Sequence, residues 1–186
     1  RRMTDPNMII AMKFLRLLEV GMTQIVPKSV PYVTQRIIQL SLLYGMRPVS
    51  PIGFVYFGSY IAKLGDINRG YQYVQLALSL LGTVGSRENA GEVICVGTQV
   101  RTYLEPLQAA LEHHNEGYAA AMTSGDISQA TMNTFCLDFL RFCAGVNLHI
   151  VRDKYAESQR TMEERKQVLF TIYSEQNQRS ISKLIG

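Results

Sequence analysis

The chain has 186 residues, of which 47% are hydrophobic and 18% charged, and it carries a formal net charge of +4. That balance excludes an intrinsically disordered chain and supplies enough apolar surface for a core. No apolar run reaches the roughly 18 uninterrupted residues that a membrane span needs. Cys95, Cys136 and Cys143 form no C-x-x-C pair, and their odd count argues against a disulfide framework. Cys136 and Cys143 stand seven apart and share a face on a helix, which reads as buried free thiols in a reducing compartment, with the cytoplasm as the expected location. The positive charge is uneven: residues 1–60 hold seven Lys/Arg against two Asp/Glu. Yet Arg1, Arg2, Lys13, Arg16, Lys28, Arg36 and Arg47 are dispersed, so the expectation is a solvated helix face rather than a nucleic-acid surface. The first residue is Arg1, and the chain reads as one helical-repeat domain, 1–186, excerpted from a longer polypeptide.

Apolar residues recur at spacings of three and four over most of the length, and strand alternation is nearly absent. MIIAMKFLRLLEVGM follows Thr4-Asp5-Pro6, a helix-starting group, and Gly21 is expected to end it. Lys13, Arg16 and Glu19 interrupt that stretch, which favours an amphipathic helix over a signal peptide. A second helix is predicted at roughly 29–44, closed by Gly45. Ser50-Pro51 opens a third, running to Leu64, and Asp66 opens a fourth that ends near Leu81-Gly82. The loop GTVGSRENAG leads to a fifth helix around 87–103, in which Gly91 and Gly97 are weak points. Pro106 begins a sixth, to about Met122. Ser124-Gly125-Asp126 breaks the chain before a seventh, ISQATMNTFCLDFLRFCAG. One or two more follow Val146, with a boundary near 163–168. Seven to nine helices joined by short connections must pack as antiparallel neighbours, so the predicted class is all-α.

The pair Gly65-Asp66 explains how two helices can be joined without a linker. Glycine ends a helix in a left-handed backbone conformation at little cost, and aspartate caps the next helix and suits its positive end. The same letters return at Gly125-Asp126-Ile127, which suggests a repeated hairpin. Gly58, Gly70 and Ala77 place small side chains where the helices of the first hairpin would touch. Phe54, Phe57, Ile61, Leu64, Val74 and Leu78 are expected to fill the space around them.

"FVYFGSYIAKLGDINRGYQYVQLALSLL" resembles a tetratricopeptide repeat, with small residues on both helices around a Leu-Gly-Asp turn; the best-matching hairpin is 51–82. Around Gly125-Asp126 the match is partial: Ala130 takes the place of Gly70, but Tyr118 stands where a small residue is expected and Leu137 replaces Ala77. The order LSLLYGMRPVSPIGFVYFGSYIAKLGDINRGYQYVQLALSLL, a helix pair, AAAMTSGDISQATMN and a Gly145-Val146-Asn147-Leu148 step is similar to a narrower family over about 25–150. That family is the degenerate helical-repeat segment of large signalling proteins that also carry serine/threonine-kinase-like, AAA-type ATPase, GAF and histidine-kinase domains. The resemblance implies a TPR-like α-solenoid of stacked antiparallel hairpins, with catalytic activity residing in other domains.

The residues offer no competing chemistry. A G-x-x-x-x-G-K-[ST] phosphate cradle and the kinase signatures are missing, and the glycines of LGTVGSRENAG lack dinucleotide spacing. In Glu112-His113-His114-Asn115-Glu116 the adjacent histidines diverge by about 100° on a helix, so the cluster reads as a solvated segment rather than a metal site. His149 reads as a packed or partly exposed histidine, and no Ser–His–Asp or Cys–His constellation is assignable. Phe135, Phe139 and Phe142 follow core spacing rather than a base-stacking pattern. No catalytic, cofactor or metal residue is therefore expected. The expected function is a noncatalytic scaffold for protein–protein or interdomain contacts within a larger signalling ATPase or kinase, with Phe54, Tyr56, Tyr60, Tyr71 and Tyr73 near the partner surface. The alternatives are a ligand-sensing regulatory repeat domain and, behind it, a nucleic-acid-binding helical repeat; neither requires a membrane span.

Overall fold

The computed structural model describes residues 1–84 and 88–186, excluding the side chains of Gln24 and Val84. These residues fold into helices α1 Pro6–Ile25, α2 Val30–Tyr44, α3 Ser50–Lys63, α4 Ile67–Val84, α5 Ala90–Arg101, α6 Leu107–Ser124, α7 Ile127–Cys143, α8 Leu148–Glu164 and α9 Val168–Ile185. Among the described residues there is no strand, only an isolated bridge between Arg2 and Met46, and the class is all-α. Consecutive helices pack against each other throughout. The odd-numbered helices from α3 to α9 also touch in series, whereas no contact joins two even-numbered helices among the described residues. Two layers result, with α3, α5, α7 and α9 side by side and α4, α6 and α8 behind them.

Four of the connections are the same turn. Gly65, Gly125 and Gly145 have φ of 103°, 76° and 74°, and Lys166 has 56°. In each, the amide one residue later donates back to a carbonyl five residues before it: Asp66 to Ile61 at 3.3 Å, Asp126 to Ala121 at 2.9 Å, Val146 to Arg141 at 3.1 Å and Gln167 to Met162 at 2.8 Å. This is the bond that satisfies an orphan carbonyl at a helix C-terminus. Asp66, Asp126 and Asn147 then accept the amides of Arg69, Gln129 and His149, capping the following helices.

Small residues set the spacing inside the hairpins. A Cβ on Gly70 would lie 2.6 Å from the Gly58 carbonyl oxygen and 2.7 Å from the Ala62 Cβ, so α3 and α4 meet backbone to backbone. Ala77 is fully buried beside Val74 in the cluster that also contains Ile52, Phe54, Val55 and Val93. A Cβ on Gly91 would lie 2.6 Å from the Ala121 Cβ, and one on Gly97 3.0 Å from Val74 Cγ1. Both glycines read as weak points in α5 are therefore places where α6 and α4 press against it.

Several expectations fail for identifiable reasons. α1 continues through Gly21 to Ile25, where Pro27, which disfavours a helical residue before it, supplies the stop. The fifth helix starts at Ala90 rather than 87, and part of the loop expected at 82–91 falls on 85–87, outside the described residues. Leu64 is 70% exposed because it sits at the C-cap of α3, beyond the last residue that α4 covers. Phe139 and Phe142 are exposed on α7, while Phe135 packs on Phe170 and Tyr173 of α9. Cys143, at the last residue of α7, is also exposed.

Gly65→Val is expected to destabilise the chain by about 1–2 kcal/mol, the cost of a branched side chain in the left-handed region, since the space around Gly65 is open and only the backbone resists. Ala77→Phe should cost about 1–3 kcal/mol through overpacking. Lys166→Gly should act in the opposite direction, by about 0.5–1 kcal/mol, because it relieves the one non-glycine residue among the described residues with positive φ. Thermal unfolding checks all three, at about 2–4 °C per kcal/mol for a chain of this size.

Candidate functional site

A groove of about 580 Å³ runs across the odd-numbered helices. α1 provides Arg16, Glu19, Val20 and Thr23, α3 provides Tyr56, and α5 provides Glu92. Asp126 and Met132 come from the start and middle of α7, and Lys166 to Phe170 from the α8–α9 turn and the start of α9. α1 and α3 do not touch through their backbones; side chains close the distance.

The link is a buried ionic cluster. The Arg16 guanidinium donates to Glu19, and with its other arm to Glu92, which it also reaches at 3.2 Å through Nη1. Tyr56 donates its hydroxyl to Glu92 Oε1 at 2.9 Å, and Thr23 donates to Glu19 Oε1 at 3.1 Å. Glu19 and Glu92 are 1% and 4% exposed, so two carboxylates share one arginine away from water. Burial pushes the Glu19 carboxyl above its ordinary value, against the opposing pull of Arg16. Burial and the adjacent carboxylates likewise raise the Tyr56 phenol, which stays protonated as a donor. Arg16 is thus not part of a solvated basic face, as its dispersed neighbours suggested. A buried arginine between two carboxylates fits because it offers several rigidly arranged donors.

The tyrosines expected at a partner surface are not brought together. Tyr56 alone lines the groove. Tyr60 is 40% exposed, and Tyr73 is held in the α3–α4 interface against Phe57, ring centroids 5.2 Å apart, with Phe54 buried beside it. Tyr71 donates to Glu105 Oε1 at 2.8 Å, where Arg101 Nε also donates at 2.8 Å and His113 Nε2 lies 3.1 Å from Oε2. Burial opposes ionisation of Glu105, but these bonds outweigh it and hold the carboxyl at about 2.

A third group was not anticipated from spacing. Cys95 on α5, His114 on α6 and Cys136 on α7 place one ligand-capable atom each within 4.8 Å of one another. His114 is 1% exposed, so half of the histidine pair read as solvated is in the core. Its Nδ1 is 3.0 Å from Asn133 Oδ1, and burial lowers its pKa, keeping it neutral. The thiols of Cys95 and Cys136 share a hydrogen bond that raises Cys95, further raised by burial, and lowers Cys136. The signal that could have exposed this group is the register of three successive helices, which the sequence does not state. A second concavity, of about 210 Å³, is lined by α6, α7 and α8, and one of its lining residues, Arg141, donates to the fully buried Asp138 at 2.5 Å.

No family model, curated protein or solved structure matches the chain. Among the described residues, no helix is long and apolar enough to cross a membrane.

The Glu105 cluster has a definite pH signature. Its folded pKa of about 2 lies below the ordinary 4.5, so between those values the unfolded chain binds more protons and stability rises with pH. The contribution is complete above about 4.5 and drains away as pH falls toward 2. Chemical unfolding at pH 5 and pH 3 should therefore show a larger loss for the wild type than for Glu105→Gln.

Proposed function

We propose that the chain is a noncatalytic helical-repeat scaffold whose groove holds a partner segment, or a segment of a neighbouring domain, carrying a basic side chain between apolar ones. The observation behind this reading is the charge balance of the groove. Its lining holds two cations, Arg16 and Lys166, against three carboxylates, Glu19, Glu92 and Asp126, although the chain as a whole is +4. Two of those carboxylates are buried and share a single arginine, so an arriving ammonium or guanidinium gains from a charge that the protein leaves incompletely neutralised.

The rim complements this base. Val20 on α1 is 48% exposed and Leu169 on α9 is 66% exposed, which leaves apolar side chains on both sides of the acidic cluster. A segment with one Lys or Arg flanked by apolar residues satisfies both surfaces. The resemblance to the repeat segment of large signalling chains agrees with such a role, since a groove of this kind couples domains without chemistry of its own. A nucleic-acid partner is less well supported, because Arg16 is bound to carboxylates and repulsion by Glu19 and Glu92 would oppose a phosphate.

Screening the purified chain against a positional peptide library should enrich Lys or Arg at one position with apolar neighbours. Leu169→Asp, on an exposed side chain that leaves the fold intact, should abolish binding. Glu19→Gln should retain binding but weaken the preference for a basic residue. Binding should also weaken as pH falls, because burial holds the Glu19 carboxyl above its ordinary value and so favours loss of its charge. Absence of any basic preference, or full binding by Leu169→Asp, overturns the reading.

A further inference from the structure

We propose that Cys95, His114 and Cys136 form a binding site for one zinc ion, joining α5, α6 and α7 in the interior of the stack. Two sulfurs and one imidazole nitrogen lie within 4.8 Å of one another, and an ion with Zn–S bonds of about 2.3 Å and Zn–N bonds of about 2.0–2.1 Å would draw them closer around a common centre. Each ligand comes from a different helix, so the convergence is tertiary and not a by-product of spacing along one element.

Convergence alone describes many buried cysteines, which pack as small hydrophobic groups. The distinguishing observation is how the histidine is held. Asn133 Nδ2 donates to the Gly91 carbonyl at 3.0 Å and to the Gln129 carbonyl at 2.8 Å. Both amide hydrogens are therefore engaged, which fixes the amide orientation and turns Oδ1 toward His114 Nδ1 at 3.0 Å. An oxygen there accepts, so Nδ1 carries the hydrogen and Nε2 keeps its lone pair. This is the arrangement that orients a metal-binding imidazole through its other ring nitrogen. Gly117 belongs to the same construction, since a side chain on it would collide with the Asn133 carboxamide.

Charge selects the ion. Thiolates and imidazole exclude the oxygen-seeking calcium and magnesium and leave zinc or copper(I). In a site where Cys95 and His114 are each 1% exposed, Zn²⁺ with two thiolates is neutral, whereas copper(I) leaves a buried negative charge. On binding, each cysteine releases its proton to solvent, no electron is transferred, and His114 coordinates as the neutral ring. Cys136 is only half-buried, so the cluster is approached from solvent on the Cys136 side, and a water would complete the four ligands that zinc takes.

The test uses the reduced, metal-stripped chain titrated with cobalt(II) and then zinc. One equivalent of cobalt should produce thiolate-to-metal charge-transfer absorption, and one equivalent of zinc should abolish it. Cys136→Ser should lose the band, while Cys143→Ser, exposed and outside the cluster, should keep it. Absence of the band at one equivalent, or a Cys136→Ser protein that behaves like the wild type, overturns the proposal. Alkylation of the wild type, read by mass spectrometry, decides the matter even if Cys136→Ser fails to fold. Zinc should protect Cys136 and leave Cys143 reactive; equal labelling of Cys136 with and without zinc counts as refutation.

Discussion

The stack depends on helices approaching each other at backbone distance. Between α3 and α4, Gly58 and Gly70 lie so close that a methyl group on either would enter the other's carbonyl. Between α5 and α6, Gly91 meets Ala121 in the same way, and between α6 and α7 Gly117 makes room for Asn133. Packing at this range maximises dispersion contacts but leaves no tolerance for extra volume. It also fixes the rotation of each helix about its own axis, because only one face carries the small residues. The positions of the polar clusters follow from that rotation.

Both clusters are places where a polar group crosses from one helix to another through the interior. Arg16 joins α1 to α5, and Asn133 joins α7 to α5 through the Gly91 carbonyl and to α6 through His114. Buried groups of this kind add little net stability when fully bonded, but they penalise every arrangement that would leave them unpaired. The glycine contacts set how close the helices lie, and the polar crossings set which side chains face each other. Neither constraint suffices alone, since small-residue faces permit sliding along the axis that a bonded arginine or asparagine forbids.

This division explains what was legible in the sequence. Turns are written locally, so Gly65-Asp66 and Gly125-Asp126 could be located from residue types. The α8–α9 turn could be placed only within a window, because Lys166 takes the conformation that glycine marks elsewhere. The hairpin rhythm and the all-α class followed from apolar periodicity. The second close approach was displaced by one residue: the offset from Gly125 pointed to Tyr118, whereas Gly117 is the residue facing Asn133. Relations between distant residues were not legible. Arg16 and Glu92 are 76 positions apart, and nothing in their local sequence distinguishes them from surface charges. Cys95, His114 and Cys136 come from three helices whose mutual register only the packing determines. The exposure of Phe139 and Cys143 was missed for the same reason, since helical spacing says which residues share a face but not whether another helix covers it.

The groove and the cysteine–histidine cluster are not independent features. Glu92 lines the groove and Cys95, one helical turn later on α5, belongs to the cluster. On α7, Met132 lines the groove, while Asn133 and Cys136 serve the cluster. Two helices thus present one face to the concavity and the adjoining face to the interior. Anything that fixes α5, α6 and α7 to one another also fixes where the Glu92 carboxylate stands relative to the groove floor. α1 meets α5 through the Arg16 side chain rather than through the backbone, so the place of the α1 wall is set by that side chain together with the packing of Met12 against Ile37 and Leu40 of α2.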